Sequence, residues 1–129
     1  MEAKRITLID DDVSIHDRVS RLFHRPWFDL QSITLSIGAT ARALRHRPDV
    51  VILDLDLGGM SGESLIAILR ARLDTRIVLF SSHDESTIAL RCHRSGADAW
   101  CPKSNLLTLD RMVREQLDRV SLRRIRVPA

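Results

Sequence analysis

Short apolar runs and longer amphipathic segments alternate along this chain. The first and third runs, Ile6–Ile9 and Val50–Leu53, are continuous and contain many β-branched residues, as strands buried on both faces do. The second run is weaker, because Ile33, Leu35 and Ile37 alternate with polar residues in the manner of a half-buried edge strand. In chain order, the predicted strands occupy residues 6–9, 33–37, 50–53, 77–80 and 97–101.

Helical spacing of apolar residues follows each of these runs. Pro26 interrupts the first helix and Gly96 ends the fourth. Strands separated by helices pair in parallel through right-handed crossovers, which place helices on both faces of the sheet. We therefore predict a single doubly wound α/β domain of the flavodoxin-like kind. The first, second, fourth and fifth predicted helices cover residues 13–24, 39–46, 86–95 and 105 to about 122. The third has an apolar stripe at Leu65, Ile68, Leu69 and Leu73, and the fifth is predicted to face inward with Leu109, Val113, Leu117 and Val120.

The composition is that of an ordinary soluble domain. A length of 129 residues suffices for one hydrophobic core, and 44% of the residues are hydrophobic and 29% charged. No apolar stretch reaches the roughly 20 residues of a membrane span, and the amino terminus lacks a signal-peptide pattern. We expect a cytoplasmic protein without membrane contact. Cys92 and Cys101 lack metal-ligand spacing and are interpreted as reduced core thiols.

The net charge of +3 does not indicate nucleic-acid binding, because the arginines are scattered along the whole chain. They are dense only near the end, where a solvated helix terminus is favoured over a surface for an anionic partner. No helix-turn-helix segment or basic strand with aromatic residues is present. We therefore expect no direct contact with nucleic acid. The dense group consists of Arg119, Arg123, Arg124 and Arg126.

Carboxylates follow the first and third strands. Asp10, Asp11 and Asp12 come directly after one strand, and Asp54 and Asp56 follow the other. The carboxyl ends of parallel strands meet at the edge where such sheets bind ligands, and clustered carboxylates repel unless a cation holds them. Mg²⁺, which prefers oxygen ligands, and a lysine are the candidate cations. The chain has only two lysines, Lys4 and Lys103.

Four segments together resemble the receiver domain of bacterial two-component response regulators, over a span from Arg5 to about Leu122. They are ITLIDDD, PDVVILDLDLGGMSG, IVLFSS and GADAWCPK. The resemblance implies the five-stranded, five-helix (βα)5 fold of CheY-like proteins. It makes residues 1–129 one receiver domain with a core at about 5–122, a basic tail at 123–129, and no output domain in this chain.

The resemblance also assigns roles to the strand-end residues. Asp54 becomes the residue that accepts a phosphoryl group from a histidine kinase or a phosphotransfer protein. Lys103 neutralises that group, and the Ser81 hydroxyl hydrogen-bonds one of its oxygens. Asp10 and Asp11 hold Mg²⁺, Asp10 mostly through a coordinated water.

Two further ligands of the ion are implied, and one acid is set apart. Asp54 binds Mg²⁺ with its side chain, and Asp56 binds it with its backbone carbonyl. Asp12 lies where the first helix begins, and there we interpret it as an N-cap.

A switch is implied as well. In receivers the hydroxyl residue and an aromatic residue move together and reshape the face formed by the fourth helix, fifth strand and fifth helix. Here those residues are Ser81 and Trp100. This face is expected to control a downstream protein or output domain, and it could also pair two copies of the chain. The domain is expected to be a signalling protein that catalyses only its own phosphorylation and dephosphorylation. Arg91, Arg94, Arg111 and Arg114 lie on or near the face, where solubility explains them better than an acidic partner does.

The chain departs from the family pattern near the lysine and after the phosphoacceptor. Proline usually follows the lysine, but here Ser104 does, so that either the Lys103–Ser104 bond is cis or the loop differs. Gly58 stands where proline is common and leaves the loop looser. Asp56 and His83 each lie two residues beyond a site residue, and we hypothesise that they tune the lifetime of the phosphoryl group.

Two alternative functions remain open. A pseudo-receiver scaffold would have the fold without the chemistry, yet all the acids and the lysine are present. A haloacid-dehalogenase-like phosphatase would also use an Asp-x-Asp such as Asp54–Asp56, but its acidic pair follows the lysine in the chain. The five histidines lack paired ligand spacing, which argues against a histidine relay or a metal site built from them; they are His16, His24, His46, His83 and His93.

Overall fold

A computed structural model describes residues 2–126 as one parallel sheet with helices on both faces. The strands are β1 Lys4–Ile9, β2 Phe28–Ile33, β3 Val50–Leu53, β4 Arg76–Ser81 and β5 Ala99–Pro102; the helices are α1 Val13–Ser20, α2 Ala39–His46, α3 Gly62–Arg72, α4 Glu85–Ser95 and α5 Leu106–Arg126. The strand order is β2-β1-β3-β4-β5, and every pairing in the sheet is parallel. An antiparallel hairpin of two-residue strands, Asp56–Leu57 and Met60–Ser61, lies between β3 and α3.

Two hydrophobic cores lie on opposite faces of the sheet. Successive residues of β3 alternate between them: Val51 and Leu53 point toward α2, α3 and α4, whereas Val50 and Ile52 point toward α1 and α5. All four are fully buried. This explains the uninterrupted apolar sequence of the strand and confirms the predicted doubly wound fold. Within residues 2–126, no helix is long and apolar enough to cross a membrane.

The second strand lies earlier in the chain than the alternation at 33–37 predicted. β2 pairs with β1 from Lys4 opposite Phe28 to Ile9 opposite Ile33. Because β1 ends at Ile9, residues after Ile33 have no strand to pair with. Leu35 and Ile37 instead lie in the following loop, 69% and 90% exposed, so the prediction of a half-buried edge strand at these residues was wrong.

Two helix assignments also need correction. In α3, Ile66 is buried in place of the predicted Ile68, which is 39% exposed. The reason is that the helix turns Leu65, Ile66 and Leu69 toward the sheet. α1 ends at Ser20 rather than at residue 24. The inward face predicted for the last helix is confirmed, since its four apolar residues are buried.

The last helix is longer than predicted. α5 continues to Arg126, so that the expected basic tail at 123–129 is partly helical, and residues 127–129 lie outside the described residues. Arginine favours helices, and the first helix breaker after Leu122 is Pro128.

Candidate functional site

The strand-end acids form a cluster at the carboxyl edge of the sheet. Carboxylate oxygens of Asp10, Asp11 and Asp54 lie within 4.8 Å of one another. The backbone N–H of Asp54 donates to the carbonyl of Ile9 at 2.9 Å, which continues the pairing of β1 and β3 past their ends. Asp10 and Asp54 are buried, while Asp11 is exposed and leaves the cluster open to solvent. The sequence prediction that these three residues meet is therefore confirmed in geometry.

Lys103 closes the cluster from the side of β5. Its Nζ lies 2.8 Å from Asp10 Oδ2 and 3.2 Å from Asp54 Oδ2. The backbone holds it there, because the Lys103 N–H donates to the Ser81 carbonyl at 2.8 Å, directly after β4 and β5 pair. The Lys103–Ser104 bond is trans, and the cis bond found in the described chain is Arg25–Pro26. Of the two alternatives, a cis Lys103–Ser104 bond or a loop that differs from the family pattern, the cis bond does not apply.

Burial and charge oppose each other in this cluster. Burial raises the pKa of Asp54, and this outweighs the Asp56 N–H bond and the positive charge of Lys103. Burial also disfavours the charged form of Lys103, but its close contact with the Asp10 carboxylate and the charges of Asp54 and Asp10 leave its pKa raised. Lys103 is therefore held as a cation between two carboxylates.

The donor set suits a magnesium ion. Three carboxylates converge, and the buried Asp10 Oδ2 meets Lys103 as an ion pair without good hydrogen-bond geometry. Mg²⁺ binds such oxygens and keeps several waters, which the exposed side of Asp11 leaves room for.

Asp12 does not belong to the cluster. Its carboxylate accepts the Ser14 backbone N–H at 3.0 Å and the Ser14 hydroxyl at 2.7 Å, and it caps α1. These hydrogen bonds lower its pKa. The N-cap prediction is confirmed.

Ser81 ends β4 and is fully buried. Its Oγ accepts the His83 backbone N–H at 3.2 Å. Because the oxygen acts as acceptor in this bond, the hydroxyl proton does not take part in it.

A charged network, which we call the rim network, lies beside the cluster and consists of Asp56, Glu63, His83 and Arg91. The Asp56 carboxylate contacts His83 Nε2 and lies 3.5 Å from Arg91 Nη1. Arg91 Nη2 donates to both Glu63 oxygens, at 2.6 and 2.9 Å. These hydrogen bonds with Glu63 raise the pKa of Arg91 against the effect of its burial.

The sequence interpretation missed the rim network. The sequence places Arg91 among the basic residues of the face formed by α4, β5 and α5, but its guanidinium pairs with two acids of its own chain. Glu63 and Arg91 are 28 residues apart, on different helices. The signal that could have suggested the pair is the topology, which makes α3 and α4 neighbours on one face of the sheet.

The predicted switch residue Trp100 is half-buried on β5. It packs against the core shared by α2, α3 and α4. Beside it, between α4 and α5, lies an open groove of about 470 Å³, also lined by Cys92, His93 and Met112. Arg114 was also predicted near this face, but its guanidinium lies over the rings of Phe23 and Phe28, beside β2 at the opposite edge of the sheet, so that prediction was wrong. Both cysteines are free and buried, and burial raises the pKa of Cys101 to about 11.

Comparison with known proteins identifies the family. The family model for the response regulator receiver domain matches residues 6–114. The chain belongs to this family. This receiver domain is 31% identical over 100 residues to the DNA-binding response regulator MtrA of Mycolicibacterium paratuberculosis, which covers 78% of the chain and 44% of that protein. It is 33% identical over 95 residues to protein-glutamate methylesterase/protein-glutamine glutaminase 6 of Anaeromyxobacter dehalogenans, covering 72% of the chain and 27% of that protein. The receiver domain thus spans less than half the length of these relatives.

Solved structures agree on the fold. A signal receiver domain from Vibrio parahaemolyticus superposes with a TM-score of 0.87 at 22% identity, covering 98% of this chain and 99% of that one. A two-component response regulator of the LuxR family from Aurantimonas sp. SI85-9A1 has a TM-score of 0.78 at 27% identity, with coverage of 90% and 86%. These likenesses support the CheY-like (βα)5 prediction, and the family match favours a receiver over a haloacid-dehalogenase-like phosphatase.

Proposed function

We propose that this receiver domain accepts a phosphoryl group on Asp54 from a histidine kinase or a phosphotransfer protein. The carrying observation is the placement of Lys103 Nζ, 2.8 Å from Asp10 and 3.2 Å from Asp54, beside three converging carboxylates. A site that combines a carboxylate nucleophile with fixed cationic groups suits phosphoryl transfer, which depends mostly on positioning and charge neutralisation.

The side chain of Asp54 is oriented for this role. Its Oδ1 accepts the Asp56 N–H at 3.1 Å, and its Oδ2 faces Lys103. In the reaction a carboxylate oxygen of Asp54 forms a bond to phosphorus while the bond from phosphorus to the donor's histidine nitrogen breaks, and that nitrogen takes up a proton. Lys103 then pairs with the phosphoryl oxygens, and the Ser81 hydroxyl donates to one of them.

Asp10, Asp11 and Asp54, with the Asp56 carbonyl, would hold Mg²⁺. When bound, the ion neutralises negative charge on the transferring phosphoryl group.

The test is intact-mass measurement after incubation with acetyl phosphate and Mg²⁺. We expect the wild type to gain one phosphoryl group, and we expect no gain for Asp54→Asn or in the presence of excess EDTA. Asp12→Asn is the matched control, because Asn also caps a helix and Asp12 lies outside the cluster, so this variant should be modified like the wild type. A wild type that gains no mass would contradict the proposal and favour the pseudo-receiver scaffold.

We also propose that Asp56 and His83 tune how long the phosphoryl group lasts. Their side chains contact each other beside Asp54, where the attacking water must approach. A double variant, Asp56→Asn with His83→Ala, should therefore change the dephosphorylation rate, measured by the loss of the added mass with time. Equal rates in the double variant and the wild type would refute this role.

For the output, we propose that the face formed by α4, β5 and α5 transmits the signal. Its target is a downstream protein, an attached output domain or a second copy of the chain. MtrA is named as DNA-binding, but this receiver domain covers only 44% of it, and we propose that the receiver itself does not contact DNA. We further propose that the domain is soluble and cytoplasmic, and that it signals without catalysing reactions of other substrates.

A further inference from the structure

A buried histidine lies directly behind the acid cluster. His16 belongs to α1 and is only 6% exposed. Its Nε2 lies 2.7 Å from the backbone carbonyl oxygen of Asp10. His16 is absent from the reaction outlined above, and it is the polar one of the three buried residues of α1, the other two being Ile15 and Val19.

The direction of this hydrogen bond follows from its partner. A carbonyl oxygen only accepts, so Nε2 carries the hydrogen and donates it. The other ring nitrogen, Nδ1, is buried and has no hydrogen-bond partner among the described residues. A half-satisfied buried ring is costly compared with an apolar side chain, and the bond to Asp10 is what the histidine adds.

That bond acts on the peptide between the two predicted magnesium ligands. The Asp10 carbonyl belongs to the Asp10–Asp11 peptide, whose plane His16 fixes. The next peptide is fixed as well, because the Asp12 N–H donates to Asp10 Oδ1 at 2.9 Å. Asp11 is exposed, yet both peptides that flank it are held by hydrogen bonds.

We propose that His16 is a positioning residue that orients the Asp11 carboxylate for a divalent cation. The inference rests on the proposed function, since it takes Asp10 and Asp11 to be magnesium ligands. Residues that orient metal ligands by hydrogen bonds typically affect metal affinity by tenfold or more.

Calorimetric titration of the unphosphorylated protein with Mg²⁺ at one pH tests this role. His16→Leu keeps an apolar filling but lacks the donor, and its Kd should rise about tenfold. His16→Gln has an N–H that can reach the same carbonyl, and its Kd should stay within about twofold of the wild type. Val19→Ala is the matched control, because it weakens the packing of α1 without touching Asp10, and its Kd should not change.

A second measurement needs no metal. In EDTA, amide hydrogen exchange at Asp12, whose N–H donates to Asp10 Oδ1, should be faster in His16→Leu than in the wild type, and His16→Gln should restore the slow rate. A purely structural role would instead speed exchange throughout α1, as in Val19→Ala. If His16→Leu does not fold, His16→Met provides the same comparison.

The two proposals can fail separately. An unchanged Kd in His16→Leu, beside a wild type that binds Mg²⁺ and is phosphorylated, would overturn the positioning role alone. A wild type that gains no phosphoryl group would overturn the proposed function, whatever the effect of His16.

Discussion

At the scale of single residues, Asp54 faces opposing demands. A nucleophilic carboxylate must be ionised, but burial raises its pKa. The Asp56 N–H and the Lys103 ammonium offset this burial only in part. The cluster therefore carries an electrostatic cost that a bound cation would relieve.

This conflict predicts how stability depends on pH in the absence of divalent ions. Asp54 holds its proton more tightly in the fold than in the unfolded chain, so its ionisation favours unfolding. Its contribution to stability falls as pH rises from the ordinary value of 3.8 through the raised folded pKa, and the penalty remains at higher pH. Asp54→Asn keeps an oxygen for the Asp56 N–H and loses the charge. At pH 7 in EDTA it should be more stable than the wild type by about 1 kcal/mol.

Urea unfolding between pH 3 and pH 8 would measure the difference. The advantage of Asp54→Asn should shrink as the pH falls through the raised folded pKa of Asp54 toward 3.8, and it should vanish below 3.8, where Asp54 is protonated in both states. Asp17→Asn, at an exposed helix pair with Arg21, should differ from the wild type by less than about 0.5 kcal/mol. A destabilised Asp54→Asn at pH 7 would contradict this account.

At the scale of elements, strands were predictable where both faces are buried and less so at the edge. β3 reads as four apolar residues in a row because each face of the sheet has its own core. β2 is an edge strand, and its position is set by pairing with β1 rather than by its own alternation. A local pattern cannot distinguish Phe28–Ile33 from the alternation that runs on to Ile37, since the partner strand decides.

The start of α3 supports the loop after Asp54 through a close backbone contact at Gly62. A Cβ at Gly62 would lie 3.0 Å from Leu55 Cα and 3.3 Å from the Asp54 carbonyl oxygen. Gly62→Ala must push this backbone aside, and we expect a loss of about 1–3 kcal/mol in the free energy of unfolding. Displacing Asp54 should also slow phosphorylation by acetyl phosphate.

Gly58→Ala provides the matched control within the same loop. There the added Cβ meets only Asp11 Oδ2, at 3.9 Å, which is an ordinary contact. The free energy of unfolding of this variant should lie within about 0.5 kcal/mol of the wild-type value. If Gly62→Ala and Gly58→Ala were equally stable, the close contact would not constrain the loop.

At the scale of the whole molecule, residues that follow strands could be placed from the sequence, but pairs between helix surfaces could not. Asp10, Asp54 and Lys103 each follow a strand, and parallel pairing brings such positions together whatever the helices do. Glu63 and Arg91 meet only because α3 and α4 have a particular rotation and spacing. No periodicity in the sequence encodes that geometry, so the rim network could not be predicted from the sequence.

The pairing of β4 with β5 connects Ser81, at the acid cluster, with the face formed by α4, β5 and α5. Ser81 and Trp100 lie on adjacent strands, in a register that places Pro102 opposite Ser81 and Trp100 opposite Leu79. Trp100 is half-buried beside the open groove between α4 and α5, so its indole has space on one side and packed core on the other. A phosphoryl group that binds the Ser81 hydroxyl would shift the equilibrium between two conformations of Ser81 and Trp100.

We therefore expect Trp100 to report phosphorylation through its fluorescence. In Trp27→Phe, where Trp100 is the remaining tryptophan, acetyl phosphate and Mg²⁺ should move the emission to shorter wavelength as the indole turns inward. Adding Asp54→Asn should abolish the change. The emission of Trp100→Phe should not change on phosphorylation, because the remaining Trp27 is 58% exposed and lies where β2 begins, at the opposite edge of the sheet from β5. Unchanged emission in a Trp27→Phe protein that gains the phosphoryl mass would show that the signal leaves the site by another route.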